Sequence, residues 1–192
     1  MDTDSSIAEP ERRRRVLDAA VETFWRFGFR KTSMDEVARA ADISRQGLYF
    51  YFGSKEDLFR EAMRKWLEDK LAAASLRLAA PDTAIEAKLA SAMDEWTGRN
   101  IGAFSSDASD IFEKKNGALL GTLFADYNAA FLEKLTAAVA ASPLAARLEA
   151  IGFTAADLAQ TLASCGGGLK YMAKSREDFS RRVTIAVRLL CR

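Results

Sequence analysis

The chain has 192 residues, 49% of them apolar, with 28 basic against 27 acidic side chains. That is enough apolar material for a real core, and a near-zero net charge names no partner by itself; the placement of the charges has to do so. There is no histidine, and the two cysteines, Cys165 and Cys191, stand in no metal or redox spacing. The commonest general base and metal ligand are therefore absent, and the expectation is a protein with no metal, no cofactor and no catalytic residues. The start of the chain carries no apolar stretch of signal-peptide type, and no apolar run approaches the ~18 residues that span a bilayer, so a cytoplasmic protein without a membrane partner is expected.

Apolar residues recur at steps of three and four, no segment alternates, and the three prolines, Pro10, Pro81 and Pro143, fall at the edges of periodic stretches. This pattern predicts an all-α chain. Residues 1–10 are polar and are expected to form a disordered arm. A first helix over 11–27 presents Leu17, Ala20, Val21, Phe24 and Phe27 on one face, and Gly28 suits the backbone reversal after it. Ser33 followed by Glu36 reads as a capping box for a short second helix, 34–40. Asp42 tolerates the positive φ that a tight turn needs. Ser44 caps a third helix ending near Phe52-Gly53, and Ser54 caps a fourth, long helix reaching about Leu78. Further helices are expected over 84–98, 103–114, 117–141, 154–173 and 176–191. Gly166-Gly167-Gly168 lies inside one of them. Each glycine there costs ~1 kcal/mol against alanine, so either the helix breaks or another helix approaches closely, and close approach is favoured.

Two short helices joined by a tight turn, with a polar, basic and aromatic second helix, form the layout that lays a helix in the DNA major groove. Between Arg26 and Lys55 the basic residues are Arg26, Arg30, Lys31, Arg39, Arg45 and Lys55, against only Asp35, Glu36 and Asp42. Arg45 can fork onto guanine, and Gln46 onto adenine. Gly47 lets the backbone approach DNA; Tyr49 and Tyr51 offer hydroxyls or rings. Ser44 with the helix N-terminus, Lys55, Thr32 and Ser33 are placed to meet phosphates. Leu48 and Phe52 point to the core, since four aromatics in a row cannot all face inward on one helix. Arg12 to Arg15 either reach phosphates or an adjacent minor groove, or form a solvated helix start.

The run from Phe24 through Gly28-Phe29 and Thr32-Ser33-Met34-Asp35-Glu36-Val37-Ala38 to Ala41-Asp42-Ile43-Ser44-Arg45-Gln46-Gly47-Leu48-Tyr49-Phe50-Tyr51-Phe52-Gly53-Ser54-Lys55-Glu56-Asp57-Leu58 resembles the N-terminal domain of TetR-family transcriptional regulators. The resemblance implies a three-helix DNA-binding domain over 11–57 and an effector-binding and dimerisation domain over 58–192, about nine helices in all. It implies a homodimer on a palindromic double-stranded operator, and repression relieved by a small, largely apolar effector. Asp42 stands where the family often has glycine, and Gln46-Gly47 where it often has Gly-Thr. Base preference therefore cannot be copied from relatives.

Beyond 58 no family motif appears. Trp96, Phe104, Phe112, Phe124 and Tyr127 come from helices that line the effector pocket in TetR-like proteins, although most such aromatics are ordinary core. Asp94, Asp107 and Asp110 either face a cationic ligand or solvent. Leu158, Leu162, Cys165, Leu169 and Met172 form one apolar stripe, and Phe179, Val183, Ala186, Val187 and Leu190 another. By resemblance these pair as a four-helix dimer interface; otherwise they pack within one chain. The readings that stay open are activation instead of repression, constitutive DNA binding without an effector, and an α-helical enzyme retaining the DNA-binding layout.

Overall fold

The structure, a computed structural model, describes residues 3–102 and 119–192. Among them there are nine α-helices, one 3₁₀ turn and no strand. The helices are α1 (Thr3–Lys31), α2 (Met34–Ala40), α3 (Arg45–Tyr51), α4 (Lys55–Leu78), α5 (Ile85–Trp96), α6 (Leu123–Ala140), α7 (Leu144–Ala150), α8 (Ala155–Met172) and α9 (Arg176–Leu190); the 3₁₀ turn is Gly98–Asn100. The chain divides into two compact units. One takes Met1–Leu67 with the stretch ending at Leu123; the other takes Glu68–Ala103 and Phe124–Arg192. The division falls inside α4, later than the boundary expected at 57, because its first turns bury Leu58, Phe59, Ala62 and Met63 in the first unit.

α1 begins at Thr3, so the segment expected to be a disordered arm is helical from there on. Nothing between Thr3 and Glu9 stops a helix, and Pro10 removes only one donor on an exposed surface. Gly28 (φ 80°, ψ 166°) breaks the helical path inside α1, in a conformation that a side chain disfavours. Phe29 can thereby turn back onto Phe24 and Phe59, with ring centroids 6.1 and 4.7 Å away. Phe24 and Phe59 meet edge to face at 5.0 Å. Asp42 has the expected positive φ, 53°.

In the second unit α9 packs on α5, α8 and the 3₁₀ turn. α7 departs from expectation: Pro143 reads as a break, yet it serves as the N-cap of a seven-residue helix, where its fixed φ is an advantage. The helix expected over 103–114 and the first residues of that expected over 117–141 lie outside the described residues. α8 runs unbroken through the glycine triplet. Only Gly166 makes the close approach, since a Cβ there would collide with Met93, while Gly167 and Gly168 face open space. No single described helix is long and apolar enough to cross a membrane. The pair α6–α7 meets that test jointly, but it bends by 86° and buries Phe131, Leu135, Val139, Leu144 and Leu148 inside the protein.

Candidate nucleic-acid interface

α2 is capped as its sequence dictates. The Glu36 N–H donates to Ser33 Oγ at 3.2 Å, and the Ser33 N–H donates to Glu36 Oε2 at 2.7 Å. The backbone and hydroxyl bonds from Ser33 hold the Glu36 carboxyl below the usual range. The Ile43 N–H donates back to Ala38 O at 3.0 Å and closes the turn. Ser44 Oγ accepts from the Gly47 N–H at 3.0 Å and starts α3. Leu48 and Phe52 are fully buried, which fixes the rotation of α3 and turns Ser44, Arg45, Gln46, Tyr49 and Phe50 outward.

The guanidinium of Arg45 lies 3.0 Å from Asp35 of α2 and 5.7 Å from the Tyr49 ring centroid. It is held upright on the outer surface and remains largely solvated. Tyr51 is half-buried; partial desolvation, followed by its hydrogen bond to the Glu9 carboxylate, pushes its phenol up from the usual value. Glu9, Arg12, Ile43, Ser44, Gly47, Phe50 and Tyr51 line a shallow groove between the start of α1 and α3. Of the arginine run, Arg12, Arg14 and Arg15 are exposed, whereas Arg13 pairs with Glu61 at 3.2 Å and lies over the Phe52 ring.

Two residues expected to meet phosphates are otherwise engaged. Thr32 is 1% exposed, and its hydroxyl donates to Gly28 O at 2.7 Å. The Lys55 ammonium donates to Phe29 O and Thr32 O, each at 3.0 Å, and sits 4.5 Å from the Phe29 ring centroid. It ties the start of α4 to carbonyls at the end of α1, a cation at a helix C-terminus, instead of reaching outward. Phe50, 81% exposed, joins the outer face although the motif alone does not single it out. The signal is nonetheless present: at about 100° per residue, Phe50 lies roughly 200° from Leu48 and must point away from the core.

In the second unit Trp96 is buried and stacks on Phe131, with centroids 4.7 Å apart and planes at 15°. The Tyr127 hydroxyl donates to Glu68 Oε1 at 2.9 Å, and Phe124 is half-buried. Phe104, Phe112, Asp107 and Asp110 lie outside the described residues. Asp94 is engaged within the chain, accepting from Arg176 at 2.7 Å. Of the stripes expected to pair between chains, Leu158, Leu162, Phe179, Val183 and Val187 are buried within this one, and Cys165 and Leu169 are half-buried. Only Met172 and Leu190 are exposed. The strongest apolar periodicity in α8 and α9 marks the faces turned inward, toward α5 and each other.

A capped two-helix unit whose second helix presents arginine, glutamine and aromatic rings over a buried leucine defines a helix-turn-helix DNA-binding domain. Residues 16–62 match the family described as bacterial regulatory proteins, tetR family. The chain is 42% identical over 72 residues to the uncharacterised HTH-type transcriptional regulator YezE of Bacillus subtilis (strain 168), a match covering 38% of this chain and 37% of that one. It is 37% identical over 67 residues to the HTH-type transcriptional regulator RutR of Escherichia coli (strain K12), covering 35% and 32%. Matched segments thus span between 31% and 49% of the curated relatives' own length. The fold extends further: the crystal structure of reduced Escherichia coli NemR aligns over 91% of this chain and 95% of its own, with a TM-score of 0.68 at 16% identity. Residues 16–62 are thus similar to the DNA-binding domain of tetR-family regulators, and the chain as a whole shares the fold of the regulator it aligns with.

Proposed function

We propose that the protein is a cytoplasmic repressor that binds a palindromic operator as a homodimer and leaves it when a small molecule enters the second unit. Two copies present α3 to successive major grooves, roughly 34 Å apart. The observation that carries this reading is the outer face of α3, where Arg45, Gln46, Tyr49 and Phe50 stand exposed on a helix locked by Leu48 and Phe52. Arg45 exchanges Asp35 for guanine or phosphate, Gln46 reads a base edge, and the two rings contact sugar or thymine methyl groups. An effector that favours a different spacing of the two α3 helices shifts the population off DNA.

The test is binding to the DNA upstream of the chain's own gene. Arg45→Ala is expected to cost about 1–3 kcal/mol of binding and to relax specificity, with unchanged unfolding. Lys55→Ala is expected to lower the melting temperature first and DNA binding only as a consequence, because its ammonium is spent on two carbonyls. Unchanged DNA binding in Arg45→Ala, with the fold intact, would sink the assignment. Expression of a reporter behind the same DNA, with and without the protein, separates repression from activation.

The dimer uses the outward faces of α8 and α9. Tyr171 is 82% exposed, Leu189 62%, and Met172 and Ile185 are also exposed. Gly167 and Gly168, with nothing near the position of a Cβ, let a partner helix approach on the same side. So large an apolar face on the last two helices needs a cover, and a second copy supplies a matching one. Leu189→Asp is expected to convert the dimer to monomer at micromolar concentration in sedimentation equilibrium, weakening operator binding at least tenfold. A dimer of undiminished affinity would reject this face.

A further inference from the structure

The arginine run near the start of α1 meets α3 at one point. Tyr51, at the end of α3, is half-buried and donates its hydroxyl to the carboxylate of Glu9. Arg12 and Arg15 stand near enough to act on the same phenol in the opposite sense. Glu9, Arg12 and Arg15 recur at steps of three, so they share one side of α1, and each is exposed. Their neighbours in the run are turned elsewhere. Arg13 pairs with Glu61 and lies over Phe52, and Arg14, about 200° around the helix from Arg12, lies 3.8 Å from Glu11. Glu9, Arg12 and Tyr51 open onto the groove beside the outward face of α3, whose other walls are Ile43, Ser44, Gly47 and Phe50. The groove offers about 220 Å³, below the ~300 Å³ at which small-molecule pockets begin. Two arginines and a donating phenol at so narrow an opening suit a single anionic group carried on a chain.

We propose that Arg12, Arg15 and Tyr51 form a clamp for one phosphate of the DNA backbone, and that Glu9 fills the clamp when no DNA is bound. This rests on the reading that α3 enters the major groove, and it adds to that reading a backbone contact from α1 and a built-in competitor for it. A phenol that donates to a carboxylate donates equally well to a phosphate oxygen, and arginine pairs with either. Glu9 thus holds the acceptor position that a phosphate needs. Its carboxylate is exposed, and contacts of exposed charges are weak, so a phosphate displaces it. The displacement carries a cost, and phosphate contacts carry no sequence information. Glu9 therefore lowers affinity for every sequence alike and limits accumulation on non-specific DNA. A purely structural tie between α1 and α3 would act otherwise: its removal would lower stability and strengthen no DNA complex.

The probe is a mixed-sequence DNA duplex, titrated into the full-length chain at several KCl concentrations and followed by fluorescence anisotropy. No operator is needed, because the contact is independent of sequence. Glu9→Gln is expected to bind about threefold more tightly than the wild type. Arg12→Ala and Arg15→Ala are each expected to bind more weakly and to reduce the slope of log affinity against log salt by about 1 per bound protomer, whereas Arg14→Ala keeps the wild-type slope. Tyr51→Phe, which removes only a hydroxyl, is expected to weaken binding and to diminish the gain from Glu9→Gln in the double variant. Unchanged or weaker binding by Glu9→Gln would overturn the proposal, and a lowered melting temperature beside it would mark the contact as a structural tie. Wild-type salt slopes in both Arg12→Ala and Arg15→Ala would overturn it as well. A wild type that binds no duplex at low salt defeats the reading of α3 itself. A neutral Glu9→Gln, with Arg45→Ala still weakening binding to the DNA upstream of the chain's own gene, upholds that reading and defeats the clamp alone.

Discussion

Phe59→Ala is expected to destabilise the DNA-binding unit by about 3–5 kcal/mol and to abolish operator binding at 37 °C. The ring is fully buried and joins two others, edge to face with Phe24 and tilted against Phe29. Those three rings connect the body of α1, its reversed end after Gly28 and the first turn of α4. The Lys55 ammonium lies over the Phe29 ring one turn before Phe59, so the same cluster also seats the cation that receives the end of α1. Truncation leaves a cavity that the short helices can close only by shifting α1 against α4. Native domains hold only about 5–15 kcal/mol in all, so the loss unfolds an appreciable fraction of this unit. Urea unfolding followed by far-UV circular dichroism should show one transition moving to lower urea, with the second unit's transition in place. Phe50→Ala is the control. Being 81% exposed, it should leave stability within about 0.5 kcal/mol while weakening DNA binding. If both variants unfold alike, the division of α3 into a buried and an outward face is wrong.

That division is legible in the sequence because its signals are local. Ser33 with Glu36, Ser44 and Ser54 are caps whose partners lie three residues away, and Asp42 marks the turn by its own conformational tolerance. A Leu48–Phe52 pair four residues apart sets the helix rotation without reference to anything distant. The intramolecular bonds of Lys55 and Thr32 are not legible in the sequence because their partners, the carbonyls of Phe29, Thr32 and Gly28, flank the kink at Gly28. The same limit applies to α8 and α9. Periodicity identifies an apolar stripe but not what covers it, and in a bundle the strongest stripe is the one the chain covers itself. Tyr171, Ile185 and Leu189 lie off those stripes, so only their exposure reveals the outward face. Lys70 carries no sequence signal at all, since one lysine in a polar, amphipathic α4 looks like any solvated neighbour.

Lys70 also gives the second unit an unusual dependence on pH. Its pKa falls from the usual 10.5 to about 7 on folding, so between those values the unfolded chain holds a proton there that the folded chain does not. Stability therefore rises with pH across this window, by up to about 1.4 kcal/mol per unit near its middle. The groups able to oppose or mimic this act elsewhere. Among the described residues, the lowered carboxylates Glu36, Asp157 and Asp178, the last at about 2, titrate well below neutrality. Cys191, raised from 9.0 to about 11 mainly by burial, makes the folded state the better proton binder and lowers stability only above pH 9. Arg99 and Lys170 are the cations acting on Lys70, and α6 contributes Phe131 behind Trp96, whose ring centroid lies 4.6 Å from the Lys70 ammonium. Between pH 7 and 9 the second unit's urea midpoint should climb in the wild type. Lys70→Met should flatten that climb and raise the midpoint at pH 7, because a methionine of similar length removes the buried charge while keeping the contact with Trp96. A wild-type midpoint that stays level from pH 7 to 9 would mean that burial does not lower the Lys70 pKa on folding.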